Sequence, residues 1–409
     1  MTDNSNNTPR LRFPGFSGEW DYVNGNELFE PVSNKNHNSD LPILALTQDQ
    51  GAVPRDMINY NVIASDKSVA GYKVVEVDDF IISLRSFQGG IEYSRYKGLC
   101  SPAYIVLKKR NTELSSDFYR IYFKSYNYIQ ALNRNLEGIR DGKMISYQQF
   151  SEIKLPAPSP AEQNKIASFL SSMDDVITEQ KQKVEALKEK KKGLMQQLFP
   201  QQGETTPRLR FPGFSGEWEE RSMDDVFTRI TRRNSDNNQN VLTISAQYGL
   251  INQLDFFNKN IASSDVTGYY LLHKGEFAYN KSSSQGRLVG AIKPLKLYDK
   301  GVVSTLYICF KCNNPQEIDY WEQYFDAGVF DKEIMTIAQE GARNHGLLNI
   351  PTNDFFNLKV KSPTLAEQQK IASCLSSLDS MIGSEQSKLD VLKEHKKGLM
   401  QQLFPQPSK

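Results

Sequence analysis

Ala161-Glu162-Gln163-Asn164-Lys165-Ile166-Ala167-Ser168 opens a stretch that runs without proline to Leu198-Phe199-Pro200. It returns 205 positions on as Ala366-Glu367-Gln368-Gln369-Lys370-Ile371-Ala372-Ser373 through Leu403-Phe404-Pro405. Pro160 and Pro363 stand at the heads of the two copies, where a missing N–H costs a helix nothing, and the next proline ends each one. In the first copy Ile166, Leu170, Met173, Ile177, Gln180, Val184, Leu187, Lys191, Leu194 and Leu198 follow alternating steps of four and three. In the second, Ile371, Leu375, Leu378, Ile382, Glu385, Leu389, Leu392, Lys396, Leu399 and Leu403 take the equivalent places. This is a heptad seam of about five repeats, roughly 55 Å long at about 1.5 Å per residue. So narrow and sustained a stripe predicts a partner helix; the alternative is that each helix packs only on its own domain. Polar residues interrupt both seams at the same two places, Gln180/Glu385 and Lys191/Lys396, and such positions fix register or orientation at a cost in stability.

Outward from the helices, a second segment recurs. Thr8-Pro9-Arg10-Leu11-Arg12-Phe13-Pro14-Gly15-Phe16-Ser17-Gly18-Glu19-Trp20 comes back unchanged at Thr206 to Trp218, an offset of 198. The chain is therefore written twice, with 140 residues between Trp20 and Ala161 and 147 between Trp218 and Ala366. These intervening stretches are far less alike than the blocks that frame them. The implied organisation is a repeated segment (1–20), a first head (21–157), a helix (158–200), a linker carrying the second copy of the segment (201–218), a second head (219–363), and a helix with its tail (364–409). A pseudo-two-fold relating the halves makes the helices antiparallel, a spacer of fixed length between two unlike heads.

Alternating and β-branched stretches in the heads read as strands: Leu41 to Leu46, Tyr72 to Leu84 and Ala103 to Leu107, then Val241 to Ser245, Tyr269 to Tyr279 and Leu306 to Phe310. Asp117 to Leu136 and Pro315 to Ala338 read as helices. The mixed order makes each head α+β with a twisted sheet. Matches between the heads are sparse: Gly51 with Gly249, Gly71-Tyr72 with Gly268-Tyr269, Phe80 with Phe277, Gln88-Gly89 with Gln285-Gly286, and Glu137-Gly138-x-Arg140 with Glu340-Gly341-x-Arg343.

Forty-nine basic against 48 acidic residues exclude a histone-like surface, so a nucleic-acid site has to be a local patch. A mean hydropathy of −0.54, the lack of any apolar run near 18 residues and a polar beginning predict neither a membrane span nor a secretory signal, hence a cytoplasmic protein. Four cysteines make no disulfide framework. There is no Gly-x-x-x-x-Gly-Lys-Ser/Thr loop, no dinucleotide fingerprint, no Gly-x-Ser-x-Gly elbow and no His-Glu-x-x-His. Cys309-Phe310-Lys311-Cys312 has metal or redox spacing but lacks a second pair and lies in a strand, where residues three apart face opposite sides. The chain is expected to be non-catalytic and to bind no metal or cofactor itself.

Patches belong to the loops. Asn280 to Leu297 carries Lys281, Arg287, Lys293 and Lys296 without an acidic residue, and its counterpart Arg85 to Lys97 carries Arg85, Arg95 and Lys97 among Phe87, Tyr93 and Tyr96. Cations satisfy phosphates, while Gln, Ser, Asn and Arg read base edges in the major groove. Solvated strand connections and core aromatics account for the same residues. The Gly-x-Arg turns, with Arg140 and Lys143 in one head and Arg343, Asn344 and His345 in the other, permit close backbone approach and an arginine fork, though a structural arginine explains them too.

Two divergent domains of about 140 residues, each closed by Ala-Glu-Gln-x-Lys-Ile-Ala-Ser and ending Lys-Lys-Gly-Leu-Met-Gln-Gln-Leu-Phe-Pro (Lys191 to Pro200, Lys396 to Pro405), resemble the specificity subunits of bacterial type I restriction-modification systems. The resemblance implies two target-recognition domains, each reading half of a bipartite site in double-stranded DNA, joined by an antiparallel coiled coil. It also implies two methyltransferase subunits docked on that coil, with restriction subunits added. S-adenosylmethionine, ATP and Mg²⁺ then belong to the partner subunits. DNA-reading loops would fall at Thr47 to Pro54, Ser245 to Asn252, the basic loops and the Gly-x-Arg turns. The candidates there are Thr47, Gln48, Arg85, Ser86, Gln88, Arg95, Lys97, Arg140 and Lys143 in the first head. In the second they are Ser245, Gln247, Tyr248, Lys281, Ser282, Ser283, Gln285, Arg287, Arg343, Asn344 and His345. The rival readings are a scaffold joining two protein-binding heads, and a self-sufficient nuclease around Glu152-Ile153-Lys154.

Overall fold

The computed structural model describes residues 7–38, 40–58, 69–134, 145–245, 249–257, 265–282, 288–338 and 348–405. The chain forms two compact units, Met1–Lys181 with Ser387–Lys409, and Gln182–Gln386. Each unit thus owns one head, the first half of the helix that follows it and the last half of the other long helix.

In the first unit the described elements run β1 (Asp21–Asn24), α1 (Gly25–Leu28), β2 (Phe29–Val32), β3 (Leu44–Thr47), β4 (Gly51–Pro54), β5 (Lys73–Val75), β6 (Phe80–Ile82), α2 (Ser86–Gly89), β7 (Glu92–Tyr93), β8 (Gly98–Cys100), β9 (Ile105–Lys109), α3 (Ser116–Tyr122), α4 (Tyr126–Arg134), α5 (Tyr147–Ser151), β10 (Lys154–Ala157) and the long helix α6 (Pro160–Leu198). The second unit repeats the strand order, with helix α8 after its fourth strand and, among the described residues, no counterpart of α2: β11 (Glu219–Ser222), α7 (Met223–Val226), β12 (Phe227–Ile230), β13 (Leu242–Ser245), β14 (Gly249–Asn252), α8 (Gln253–Phe257), β15 (Tyr270–His273), β16 (Phe277–Asn280), β17 (Ala291–Pro294), β18 (Lys300–Val303), β19 (Ile308–Cys312), α9 (Ile318–Asp326), α10 (Asp331–Ile337), α11 (Thr352–Asn357), β20 (Lys359–Ser362) and the long helix α12 (Leu365–Leu403). The α+β reading holds in both.

The same four-stranded antiparallel sheet stands in each unit, ordered β2-β9-β6-β7 and β12-β19-β16-β17. Of the two central strands in each sheet, β6 and β16 are apolar where both faces are covered: Phe80, Ile81 and Ile82 are fully buried, as are Phe277, Ala278 and Tyr279. Aromatic residues from α3 and α9 fill one face. Phe29 meets Tyr119 edge-to-face and Phe123 at a tilt, and Phe227 meets Trp321 edge-to-face and Phe325 at a tilt. Two-stranded ladders complete each head: β1 with β10, β3 with β4 and β5 with β8, matched by β11 with β20, β13 with β14 and β15 with β18. Each head opens on a capping box, Asn24 with Glu27 and Ser222 with Asp225.

One expectation is corrected in both heads. Tyr72 to Leu84 and Tyr269 to Tyr279 do not form single strands; each is two, broken by a tight turn at Asp78 (φ 75°) or Gly275 (φ 86°). The turn is made by a carboxylate that hydrophobic alternation does not register: Asp79 accepts from the Glu76 N–H at 2.8 Å, and Glu276 from the His273 N–H at 2.7 Å.

The long helices are 39 residues each, and the seam positions are buried or half-buried along both. In the first unit Ile166 and Leu170 share a core with Leu403 and Phe404, and the Lys396 ammonium reaches Asp174. In the second, Ile371 and Leu375 share a core with Met195, Leu198 and Phe199. There Lys191 holds Asp379 at 2.7 Å and Lys183 holds Glu385 at 3.2 Å. Within each unit the partner's number falls as the residue's own rises, so the paired halves are antiparallel.

Candidate nucleic-acid interface

Sequence reasoning gave no role to the unchanged N-terminal segments. They clamp the heads to the helix starts. The Arg12 guanidinium forks onto Glu162 with two 2.8 Å bonds, and Arg210 forks onto Glu367 at 2.8 and 2.7 Å; the carboxylates' side chains are 3% and 1% exposed. The neighbouring glutamine of the same Ala-Glu-Gln motif closes the helix start, Gln163 donating to the Pro158 carbonyl at 2.8 Å and Gln368 to that of Pro363 at 3.0 Å. An arginine and a glutamate, each unchanged in both copies, were the available signal.

With that frame fixed, the loops of the first head can be placed. The β3–β4 hairpin turn is tied by Thr47, whose hydroxyl donates to the Gly51 carbonyl at 3.0 Å and accepts from the Gln50 N–H at 3.1 Å. Gly51 has φ 76°, and a Cβ there would fall 2.4 Å from the Tyr93 carbonyl, so glycine lets the hairpin lie against β7. A Cβ on Gly89 would meet the Gln48 amide at 2.5 Å. The turn carrying Thr47 and Gln48 and the helix carrying Gln88 are thereby brought together, with Gln48, Arg85, Gln88 and Arg95 exposed. Ser86 is buried; its hydroxyl accepts from the Ser83 N–H at 2.7 Å and holds the turn. Lys97 pairs with exposed Glu76 at 2.9 Å.

In the second head Ser245 is buried at the end of β13. Lys281 and Ser282 follow β16 half-buried, and burial pulls the Lys281 ammonium below its ordinary pKa. Lys293 and Lys296, read as part of a basic loop without acids, are neutralised from elsewhere in the chain. Lys293 is buried on Asp326 at 2.6 Å, and Lys296 binds Asp319 at 2.8 Å and Glu322. The acids come from α9, some thirty residues on, which a local reading of charge does not see. Arg140, Lys143, Gln247, Tyr248, Ser283, Gln285, Arg287, Arg343, Asn344 and His345 lie outside the described residues.

Cys309 and Cys312 sit on β19 and are buried in different cores, on opposite faces of the sheet. Burial pushes both thiols up to about 12, which keeps them protonated and poor ligands or nucleophiles. Burial likewise lifts Asp79 to about 6, only partly offset by its backbone hydrogen bond and by Lys108.

The sequence pattern of the family described as "Type I restriction modification DNA specificity domain" matches residues 19–189 and again 215–394. The chain belongs to this family. Each specificity-domain match takes in one head and most of the helix after it, so the duplication is a duplication of this domain. A curated relative, the type I restriction enzyme MjaVIII specificity subunit of Methanocaldococcus jannaschii, is 26% identical over 126 residues, 31% of this chain and 29% of its own length. Among solved structures, the type I restriction-modification S subunit from M. genitalium aligns over 97% of this chain and 99% of its own, with a TM-score of 0.54 and 14% identity. A chain from a study of complex assembly and conformational transition in the type I R-M system aligns over 96% and 98%, with a TM-score of 0.55 and 14% identity. At such identity these two likenesses concern the fold. Among the described residues of this specificity-family chain, no helix is long and apolar enough to cross a membrane.

Proposed function

We propose that this chain is the non-catalytic specificity subunit of a type I restriction-modification assembly. Each head reads one half of a bipartite site in double-stranded DNA. The antiparallel helices set the spacing and dock two methyltransferase subunits, and restriction subunits join where present. S-adenosylmethionine, ATP and Mg²⁺ are then held by those partners in the cytoplasm of a bacterium, and this chain directs adenine methylation and cleavage without performing either.

The observation that carries the reading is that the framework is duplicated while the loops are not. Sheet order, helix-start clamps and seam ion pairs recur at equivalent places. The hairpin and strand-end residues on which Gln48, Gln88 and Lys281 sit differ between heads. A single head offers a few base contacts worth roughly 1–3 kcal/mol each, so linking two multiplies their selectivities without tight binding by either. The test is co-expression with a methyltransferase subunit followed by genome-wide mapping of modified adenines. A split motif supports the reading, and replacement of residues 21–157 by another head then alters one half-site only. Modification without sequence dependence overturns it in favour of a scaffold.

A further inference from the structure

Both heads bury an ion pair at the same place, with opposite polarity. Glu92 lies on β7 opposite Ile81, next to Phe80 in the register; Lys293 lies on β17 opposite Ala278, next to Phe277. The helix that covers each sheet is fixed by its aromatic contacts: Phe29 packs on Tyr119 at 5.2 Å and Phe123 at 5.7 Å, and Phe227 packs on Trp321 at 5.3 Å and Phe325 at 5.9 Å. The residue after Phe123 is Lys124, which binds Glu92 at 2.6 Å. The residue after Phe325 is Asp326, which binds Lys293 at 2.6 Å. Four positions earlier the two heads differ: Arg120 binds Asp117 and Ser171, whereas Glu322 stands 3.9 Å from Lys293. The sheet-borne members are almost wholly buried, Glu92 at 4% and Lys293 at 7% exposure.

We infer that this reversal is an assembly code, which keeps each sheet with its own helix while a duplicated chain folds. Two heads with one strand order and one aromatic core can trade equivalent elements, the characteristic misassembly of repeated domains. A traded head here buries Glu92 against Glu322 and Asp326, or Lys293 against Lys124. An unpaired buried charge is strongly disfavoured, whereas both native heads keep theirs paired, with opposite polarity. The aromatic contacts discriminate less, since both heads use rings at the same places and differ there only as Tyr119 against Trp321.

The test gives both heads one polarity in the full-length chain. E92K/K124D makes the first head resemble the second, and K293E/D326K with E322Q, which removes the carboxylate that stands 3.9 Å from Lys293, does the converse; each keeps an attractive pair in place. Refolding from denaturant is read as the yield of monomer by size-exclusion chromatography, beside the melting temperature of the recovered monomer. The expected result is a monomer yield at least twofold below that of the unsubstituted chain in both variants, with little change in melting temperature. An unchanged yield, or a loss no greater than that of a single variant destabilised to the same melting temperature, overturns the inference.

Discussion

Arg210 shows how much of each head's placement rests on one side chain. Its guanidinium satisfies a carboxylate almost wholly removed from water, and it also donates to the Ser215 carbonyl at 3.0 Å. Removing one member of such a pair leaves an uncompensated buried charge and costs about 3 kcal/mol, more than the net contribution of the intact pair. Arg210→Ala is therefore expected to lower the free energy of unfolding by about that amount, and adding Glu367→Gln to restore roughly half of it; urea titrations of the single and double variants check both. Asp79 makes a prediction of the opposite electrostatic kind. Its carboxyl is raised by burial to about 6, so the folded chain holds a proton that the unfolded chain releases near pH 4. Asp79 thus contributes stability below about pH 4, and that contribution is lost as pH rises through about 6. Asp79→Asn, which keeps an acceptor for the Glu76 N–H, is expected to raise the melting temperature at pH 8, with the gain shrinking towards pH 5. An equal effect at both pH values would contradict the assignment.

At the scale of elements, the long helices were legible in the sequence down to their ends, because a heptad stripe bounded by proline admits few alternatives. The polar interruptions at Lys191 and Lys396 were legible as positions, but their partners were not. Asp379 lies 188 residues from Lys191, and only the antiparallel pairing of helix halves brings them together. The head sheets were legible as strands with blurred boundaries, since the Asp78 and Gly275 turns interrupt apolar runs without interrupting their alternation. The candidate site was the least legible part. Lys293 and Lys296 looked free only because their acids arrive from α9, and Ser86 looked polar and exposed although it ties its own turn. The seam pair yields a prediction of its own. Lys191 is largely covered while Asp379 is half exposed, so the attraction is screened and of modest size. Lys191→Glu sets two carboxylates together and is expected to cost about 1 kcal/mol, and the exchanged pair Lys191→Glu with Asp379→Lys to recover most of it. Chemical denaturation of the three variants gives the coupling directly, and additive effects would exclude the pair as a register device.

For the whole molecule, the informative comparison is between two versions of one junction. In the second unit the end of α6 passes by a short covalent linker into the repeated segment: the Leu209 N–H donates to the Gln197 carbonyl at 2.9 Å, the Trp218 N–H to that of Thr205 at 3.1 Å, and Phe199 packs edge-on against Trp218. In the first unit the same contacts form between the chain's two ends. The Leu11 N–H donates to the Gln402 carbonyl at 3.0 Å, the Trp20 N–H to that of Asn7 at 3.0 Å, and Phe404 packs edge-on against Trp20. Asn127 adds bonds to the Phe404 and Pro405 carbonyls at 3.4 and 3.1 Å. The same contacts are therefore made with covalent continuity in one unit and without it in the other. Joining Pro405 to Asn7 through Gln-Gln-Gly-Glu, the residues that stand at 201–204, and opening the chain between Gly203 and Glu204 closes one loop and opens its equivalent. The loop-closure terms then nearly cancel. This permuted chain is expected to fold with a far-ultraviolet circular dichroism spectrum like that of the parent and a stability within about 1 kcal/mol of it, since surface termini that meet in space tolerate such rearrangement. A permutant that stays unfolded or melts far earlier would mean that the order of synthesis, with the first repeated segment leading, is itself part of how the halves find each other.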